Sequence, residues 1–179
     1  MAFTGQSTTL KLGFIMDALL GLLGLITLFS LLKYATYDYQ DRDICVLFLD
    51  LEGGKMQPSA CTFSTAAGGI IVLAAAVLTF MDYVTWKRSE NYKGKRASVA
   101  TLFLTPIMTL FSFCTAIVVV LGIRKSCGGS CDKGGGFSPE VKGIYTGISC
   151  AGLSGLFFAI YGISEYVQYR RRHINGDKW

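Results

Sequence analysis

Four long apolar blocks constrain this chain more than any other feature of its sequence. They cover about residues 12–32, 65–86, 98–123 and 144–166, and charged side chains are rare inside them. Each block reaches the roughly 20 residues that an α-helix needs to cross the hydrocarbon core of a bilayer. The blocks therefore predict an all-α membrane protein, folded as a single domain with a bundle of four transmembrane helices.

The composition argues against other classes of protein. Of the 179 residues, 51% are hydrophobic and 16% are charged, whereas soluble domains usually carry about 25% charged residues. This balance argues against a water-soluble globule and excludes a disordered chain. The first block is longer than the roughly 7–15 residue apolar core of a signal peptide, and no small-residue cleavage site follows it. We therefore expect an uncleaved first span.

The distribution of Lys and Arg predicts the orientation of the spans. The N-terminal segment, the inner loop 87–97 and the tail 167–179 together hold ten of the 17 basic residues. Because cytoplasmic loops carry an excess of Lys and Arg, both termini are predicted to be cytoplasmic, in the plasma membrane or a secretory-pathway membrane. The outer loops are then 33–64 and 124–143. Such basic clusters also favour contact with anionic lipid, and no nucleic-acid partner is expected.

The positions of the cysteines agree with this topology. Cys45 and Cys61 lie in the first outer loop, and Cys127 and Cys131 lie in the second. Because disulfides persist on the oxidising side of a membrane, we predict the pairs Cys45–Cys61 and Cys127–Cys131, each close in sequence. A pairing between the two loops stays open. No histidine accompanies the second pair, so a structural disulfide is preferred to a metal site. The cysteines inside spans three and four are expected to be small apolar fillers.

The first outer loop also contains strand-forming residues. Residues 44–49 are rich in strand formers, and Glu52-Gly53-Gly54-Lys55 has the composition of a turn. This pattern predicts a short extracellular β-hairpin above the bundle. The alternative is an apolar loop that dips into the membrane interface.

Span four carries a ladder of small residues spaced by four. Its members are Gly143, Gly147, Ala151, Gly155 and Ala159. Residues with this spacing share one face of a helix, and small residues let membrane helices approach closely. We expect this ladder to pack against the protein's own helices. The alternative is a face that docks the helix of a partner.

Span three carries a stripe of hydroxyl groups around Pro106. The stripe consists of Thr101, Thr105, Thr109 and Ser112. Proline removes a backbone hydrogen bond and tends to kink a helix. Hydroxyls in membrane helices commonly bond to the preceding turn, which favours a local role for the stripe. A pore lining is the alternative.

Three acidic residues lie near the cytoplasmic ends of their spans and define an inner acidic layer. They are Asp17, Asp82 and Glu165. We expect them to pair with basic residues of the flanks. The candidates are Lys11, Lys87, Arg88 and Arg96. A layer that binds a cation or a partner protein is the alternative.

Catalytic motifs do not support an enzyme. The sequence from Gly152 to Gly155 matches the Gly-x-Ser-Gly of rhomboid-type intramembrane proteases, but that chemistry needs a histidine base. The single histidine, His173, lies in the tail beyond three arginines. We therefore expect no catalytic activity, no cofactor and no bound metal.

Short motifs around the outer loops resemble a known family. They are Cys45-Val-Leu-Phe48, Ala60-Cys61-Thr-Phe-Ser64, and Leu121-Gly-Ile-Arg-Lys-Ser-Cys127 followed by Cys131. Over about residues 10–170 the chain resembles the transmembrane protein 179/179B family, although the long acidic tail of that family is absent. The resemblance implies a four-span membrane protein and no particular activity.

These patterns together predict a non-enzymatic integral membrane protein. We expect an accessory subunit or organiser of a larger membrane complex, with the lipid bilayer and another integral membrane protein (a channel, receptor or transporter) as partners. The alternative is a small ion channel or transporter, whose pathway would use the hydroxyl stripe and the acidic layer.

Overall fold

The computed structural model describes residues 4–39, 42–45, 47, 58–87, 95–127 and 141–175. Its helices are α1 (Thr4–Tyr34), α2 (Pro58–Lys87), α3 (Lys95–Cys127) and α4 (Val141–Asn175), with strands β1 (Thr36–Tyr39) and β2 (Arg42–Cys45) between α1 and α2. All 4 helices contain a stretch that is long and apolar enough to cross a membrane. The predicted set of four such helices is confirmed, and it is compatible with a multi-pass membrane protein.

Each helix extends past the predicted span at both ends and includes polar residues that flank its apolar block. The local sequence helps to explain where the helices begin and end. α2 begins at Pro58, and proline suits the first turn because its missing N–H would have no helical partner there. After α1, the Ala35 N–H still donates to the Leu31 carbonyl at 3.0 Å.

The helices form a closed ring in which neighbours run antiparallel. α1 packs against α2 and α4, and α3 packs against α4 and, less extensively, against α2. Gly13 lies beside Asp82 and Gly68 lies beside Leu28, which shows that α1 and α2 run in opposite directions. The start of α1, the end of α2, the start of α3 and the end of α4 therefore share one end of the bundle. We call it the acidic end, and the opposite end, which holds Cys61, the disulfide end.

Two apolar clusters fill the interior of the ring. The cluster at the disulfide end consists of Leu31, Ala35, Cys45, Leu47, Cys61, Val119, Ile123 and Ile144. The second cluster, farther toward the acidic end, consists of Leu20, Ile71, Ala74, Ala75, Leu78, Met108, Phe158 and Tyr161. Large apolar side chains also cover the outside of the helices, as Phe103 and Leu110 do on α3. Such an outer surface suits contact with lipid chains or with other apolar helices.

The strands lie earlier in the chain than the predicted hairpin. β1 and β2 pair antiparallel, with Thr36 opposite Cys45 and Tyr39 opposite Arg42. Leu47, inside the predicted strand 44–49, is instead buried in the apolar cluster at the disulfide end. The predicted turn at 52–55 lies outside the described residues. The hairpin predicted from residues 44–55 is therefore not supported.

Candidate functional site

The three predicted acids all lie inside the bundle at the acidic end. Asp17 of α1, Asp82 of α2 and Glu165 of α4 expose only 1%, 2% and 6% of their surfaces. All three are close enough to the Tyr161 hydroxyl to interact with it electrostatically. The structure thus brings acids from three helices together around one tyrosine.

Tyr161 connects two helices that lie diagonally opposite in the ring. Its hydroxyl donates a hydrogen bond to Asp82 Oδ2 at 2.8 Å, and both side chains are buried. Hydrogen bonds are electrostatically stronger in a low-dielectric interior than in water. This bond therefore links α4 to α2 at the level of the acids.

Glycines allow the helices to approach each other closely around these acids. A Cβ atom at Gly13 would lie 2.8 Å from Asp82 Oδ2, so the carboxyl group rests against the α1 backbone. A Cβ atom at Gly162 would lie 2.5 Å from Thr105 Oγ1, which brings α4 equally close to α3. Any side chain at either position would force its neighbour to move.

The structure describes the side chains of only two of the predicted basic partners. Lys87 and Arg96 are exposed on the surface, whereas the acids are buried. The side chain of Lys11, and Arg88 as a whole, fall outside what the structure describes. Among the described residues, no group of three or more His, Cys, Asp or Glu side chains is arranged to hold a metal ion.

The hydroxyl stripe is mostly engaged with its own helix. Thr101, Thr105 and Thr109 donate to the carbonyls four residues earlier at 3.0, 2.9 and 2.8 Å. The expectation that these hydroxyls bond to the preceding turn is confirmed for the three threonines. Ser112 is buried, and its hydroxyl has no hydrogen-bond partner within the described part of the chain. Thr109 is partly exposed, so the four residues do not share one buried face.

The glycines of the α4 ladder lie against the protein's own helices. Gly143 contacts the Tyr34 ring, and a Cβ atom at Gly147 would lie 3.2 Å from Leu31, so both face α1. Gly155 faces α3, where a Cβ atom would lie 3.3 Å from Phe113. Ala151 is buried, whereas Ala159 is partly exposed. The ladder thus divides between two neighbours in the ring, and these glycines are already covered in the single chain.

The structure contains a disulfide between Cys45 and Cys61, one of the two predicted pairs, with a Cα–Cα distance of 5.8 Å. It joins β2 to the first turns of α2. The side chain of Cys127, and Cys131 as a whole, lie outside the described residues. Cys150 is buried, but Cys114 is exposed on α3. The expected filler role is therefore wrong for Cys114, because that position of α3 faces away from the bundle.

Tyr161, Gly13 and Gly162 also belong to this site, and they were not predicted from the sequence. Tyr161 stands four residues before Glu165 and thus on the same helix face, which was the available signal. Its hydrogen bond to Asp82 depends on which helices lie opposite in the ring, and helical periodicity does not carry that information.

Comparisons of the chain with known protein families, curated proteins and solved structures find no match. The resemblance to the transmembrane protein 179/179B family therefore stays a prediction that rests on its short motifs.

Proposed function

We propose that this chain is a non-enzymatic, four-span integral membrane protein that acts as an accessory subunit or organiser of a larger membrane complex. In this proposal both termini are cytoplasmic, and the protein belongs to the plasma membrane or a secretory-pathway membrane. The disulfide end faces the oxidising side, where disulfides persist, and a second disulfide joins Cys127 to Cys131. Membership of the transmembrane protein 179/179B family is part of the same proposal, and its motifs include Cys45 and Cys61.

The observation that carries the proposal is the contrast between a filled interior and an apolar outer surface. Leu20, Leu78 and Phe158 are fully buried between the helices, whereas Phe80 and Ile163 expose 66% and 64% of their surfaces. In lipid, helices associate through close packing and interhelical hydrogen bonds. The outer faces are therefore the surface that this bundle offers to the helices of another membrane protein.

The channel or transporter alternative draws support from a different observation. Three carboxyl groups and Tyr161 gather inside the ring at the acidic end, and buried polar groups in membrane segments often mark ion pathways. Next to these carboxyl groups, on the side that faces the middle of the bundle, Leu20, Met108 and Phe158 fill the interior. Because conduction would require these side chains to move apart, we favour the accessory role.

Purification from native membranes tests the proposal most directly. We expect chain tagged at its C-terminus and expressed at its natural level to copurify with another integral membrane protein in a fixed ratio. Chain that elutes alone, with no stoichiometric partner after chemical cross-linking in the membrane, would count against an accessory role.

Flux measurements on reconstituted protein separate the two candidates. We expect liposomes that contain the purified chain to show no ion flux above that of empty liposomes. Flux that disappears in Asp82→Asn but persists in Asp177→Asn would favour the channel alternative, because Asp177 belongs to the tail and not to the acidic layer.

A further inference from the structure

Among the side chains that the structure describes, four exposed basic ones lie at the acidic end, on three different helices. Lys87 ends α2, Arg96 lies in the first turn of α3, and Arg170 and Arg171 lie near the end of α4. We call these four residues the basic collar. They cap the same end of the bundle, so their charges contribute to one surface.

The register of α3 against α4 brings two arginines to the same height. Thr105 approaches Gly162, and Ser112 approaches Gly155. The two contacts are equally far apart in sequence on α3 and on α4, and the two helices run in opposite directions. Nine residues separate Arg96 from Thr105, and nine separate Gly162 from Arg171. Continuing this register places Arg96 and Arg171 at one level of neighbouring helices.

The acids described at this end do not present a negative surface beside the collar. Asp17, Asp82 and Glu165 are all buried in the bundle, whereas the collar is exposed. The collar therefore offers positive charge to molecules outside the bundle.

The first turn of α3 adds a second feature that suits an anion. The N–H groups of a first helical turn lack helical partners, and the helix dipole is positive there. The positive end of the helix dipole therefore adds to the positive potential around the exposed Arg96.

Exposed aromatic side chains indicate the depth at which the collar lies relative to the bilayer. Tyr83, Trp86 and Tyr166 expose 45%, 59% and 54% of their surfaces, and Tyr83 and Trp86 have ring centroids 6.1 Å apart. Tyr and Trp are enriched at the membrane–water interface, at the level of the headgroups. Because Trp86 adjoins Lys87 and Tyr166 lies one turn before Arg170, the collar lies at or just outside that level.

From this arrangement we propose that the basic collar binds the headgroups of anionic phospholipids, with Arg96 and Arg171 contributing from neighbouring helices. Basic side chains at a membrane surface attract anionic headgroups through their positive charge. The headgroup depth of the flanking aromatic residues favours a lipid over a free phosphate ion. This binding does not depend on the accessory role, because it needs no protein partner.

Native mass spectrometry of the full chain in detergent tests this proposal with phosphatidylserine and phosphatidylcholine as probes. We expect preferential retention of phosphatidylserine. The double variant Arg96→Gln/Arg171→Gln should lower its apparent affinity about tenfold to thirtyfold, since each basic side chain near an anionic lipid surface contributes about fivefold. The control Arg124→Gln/Lys125→Gln removes the same charge from exposed residues at the disulfide end and should change the affinity by less than about twofold.

A charge-conserving variant separates lipid binding from damage to the fold. We expect Arg96→Lys/Arg171→Lys to keep most of the affinity for phosphatidylserine, because both positive charges remain. Equal losses in the two neutralised pairs, no loss in the Arg96/Arg171 pair, or a full loss in the lysine variant would each overturn the proposal. Equal retention of phosphatidylserine and phosphatidylcholine by the unmodified chain would do the same.

Discussion

At the scale of single residues, the polar chemistry of this protein centres on Asp82 and Tyr161. Carboxyl groups in membrane segments are costly, and they usually face the interior of a bundle and find partners there. Asp82 follows this pattern, since it is buried, lies against Gly13 and accepts a hydrogen bond from Tyr161. Tyr161 thus helps to compensate for the burial of a carboxyl group.

Removing the Tyr161 hydroxyl tests this contact. We expect Tyr161→Phe to lower the free energy of unfolding by about 1–2 kcal/mol, because Asp82 loses a buried hydrogen bond. Unfolding by SDS in mixed micelles, followed by circular dichroism, measures the change. The control Tyr83→Phe removes an exposed hydroxyl near the same end and should cost less than about 0.5 kcal/mol. Equal effects of the two substitutions would contradict the assigned role of Tyr161.

At the scale of helices, close approach at glycine determines which elements touch. A Cβ atom at Gly68 would lie 2.7 Å from Leu28 Cα, whereas one at Gly69 would meet nothing within 4 Å. The neighbouring glycines of α2 therefore face different surroundings. Gly68 lies in the contact with α1, and Gly69 faces open space.

Alanine substitutions at these neighbours test the contact between α1 and α2. We expect Gly68→Ala to destabilise the bundle by about 1–3 kcal/mol, since an added methyl group in a tight contact forces the backbones apart. Gly69→Ala should be neutral or stabilising by up to about 1 kcal/mol, because alanine favours the helix. Unfolding in mixed micelles compares the two variants. A larger loss for Gly69→Ala would refute this placement of the α1–α2 contact.

The disulfide gives a second test at the scale of elements. Peptide mass spectrometry of unreduced protein should recover Cys45 and Cys61 in one cross-linked fragment. Cys45→Ser/Cys61→Ser should lower the free energy of unfolding by about 3 kcal/mol, the value typical of a loop of this length. Cys114→Ala, at an exposed free thiol, should change it by less than about 0.5 kcal/mol. Recovery of Cys61 joined to a different cysteine would contradict the structure.

The helices could be predicted from sequence because hydrophobic length is a local property, whereas several contacts could not. The hairpin was misplaced because strand propensity in residues 44–49 does not reveal that Leu47 is buried at the disulfide end. The acids could be placed near one end by counting residues along each span. Their convergence on Tyr161 depends on the order of helices in the ring, which the sequence pattern leaves open.

At the scale of the whole molecule, the bundle is polarised along its axis. Buried acids and the exposed basic collar occupy one end, apolar side chains fill the middle, and the Cys45–Cys61 disulfide lies at the other end. A membrane accounts for such a polarity in two ways. The cytoplasmic side is reducing and the opposite side is oxidising, and basic residues are enriched in the cytoplasmic loops of membrane proteins. The proposed topology therefore requires an even number of crossings, with the acidic end in the cytosol.

Protease protection in sealed microsomes measures that topology directly. Three variants each carry one epitope, inserted after Asn91, inserted after Gly135, or appended after Trp179. Protease added outside the microsomes should remove the epitopes at Asn91 and Trp179, whereas the epitope at Gly135 should survive until detergent opens the vesicles. Protection of the epitope at Asn91, or digestion of the one at Gly135 in intact vesicles, would contradict the account.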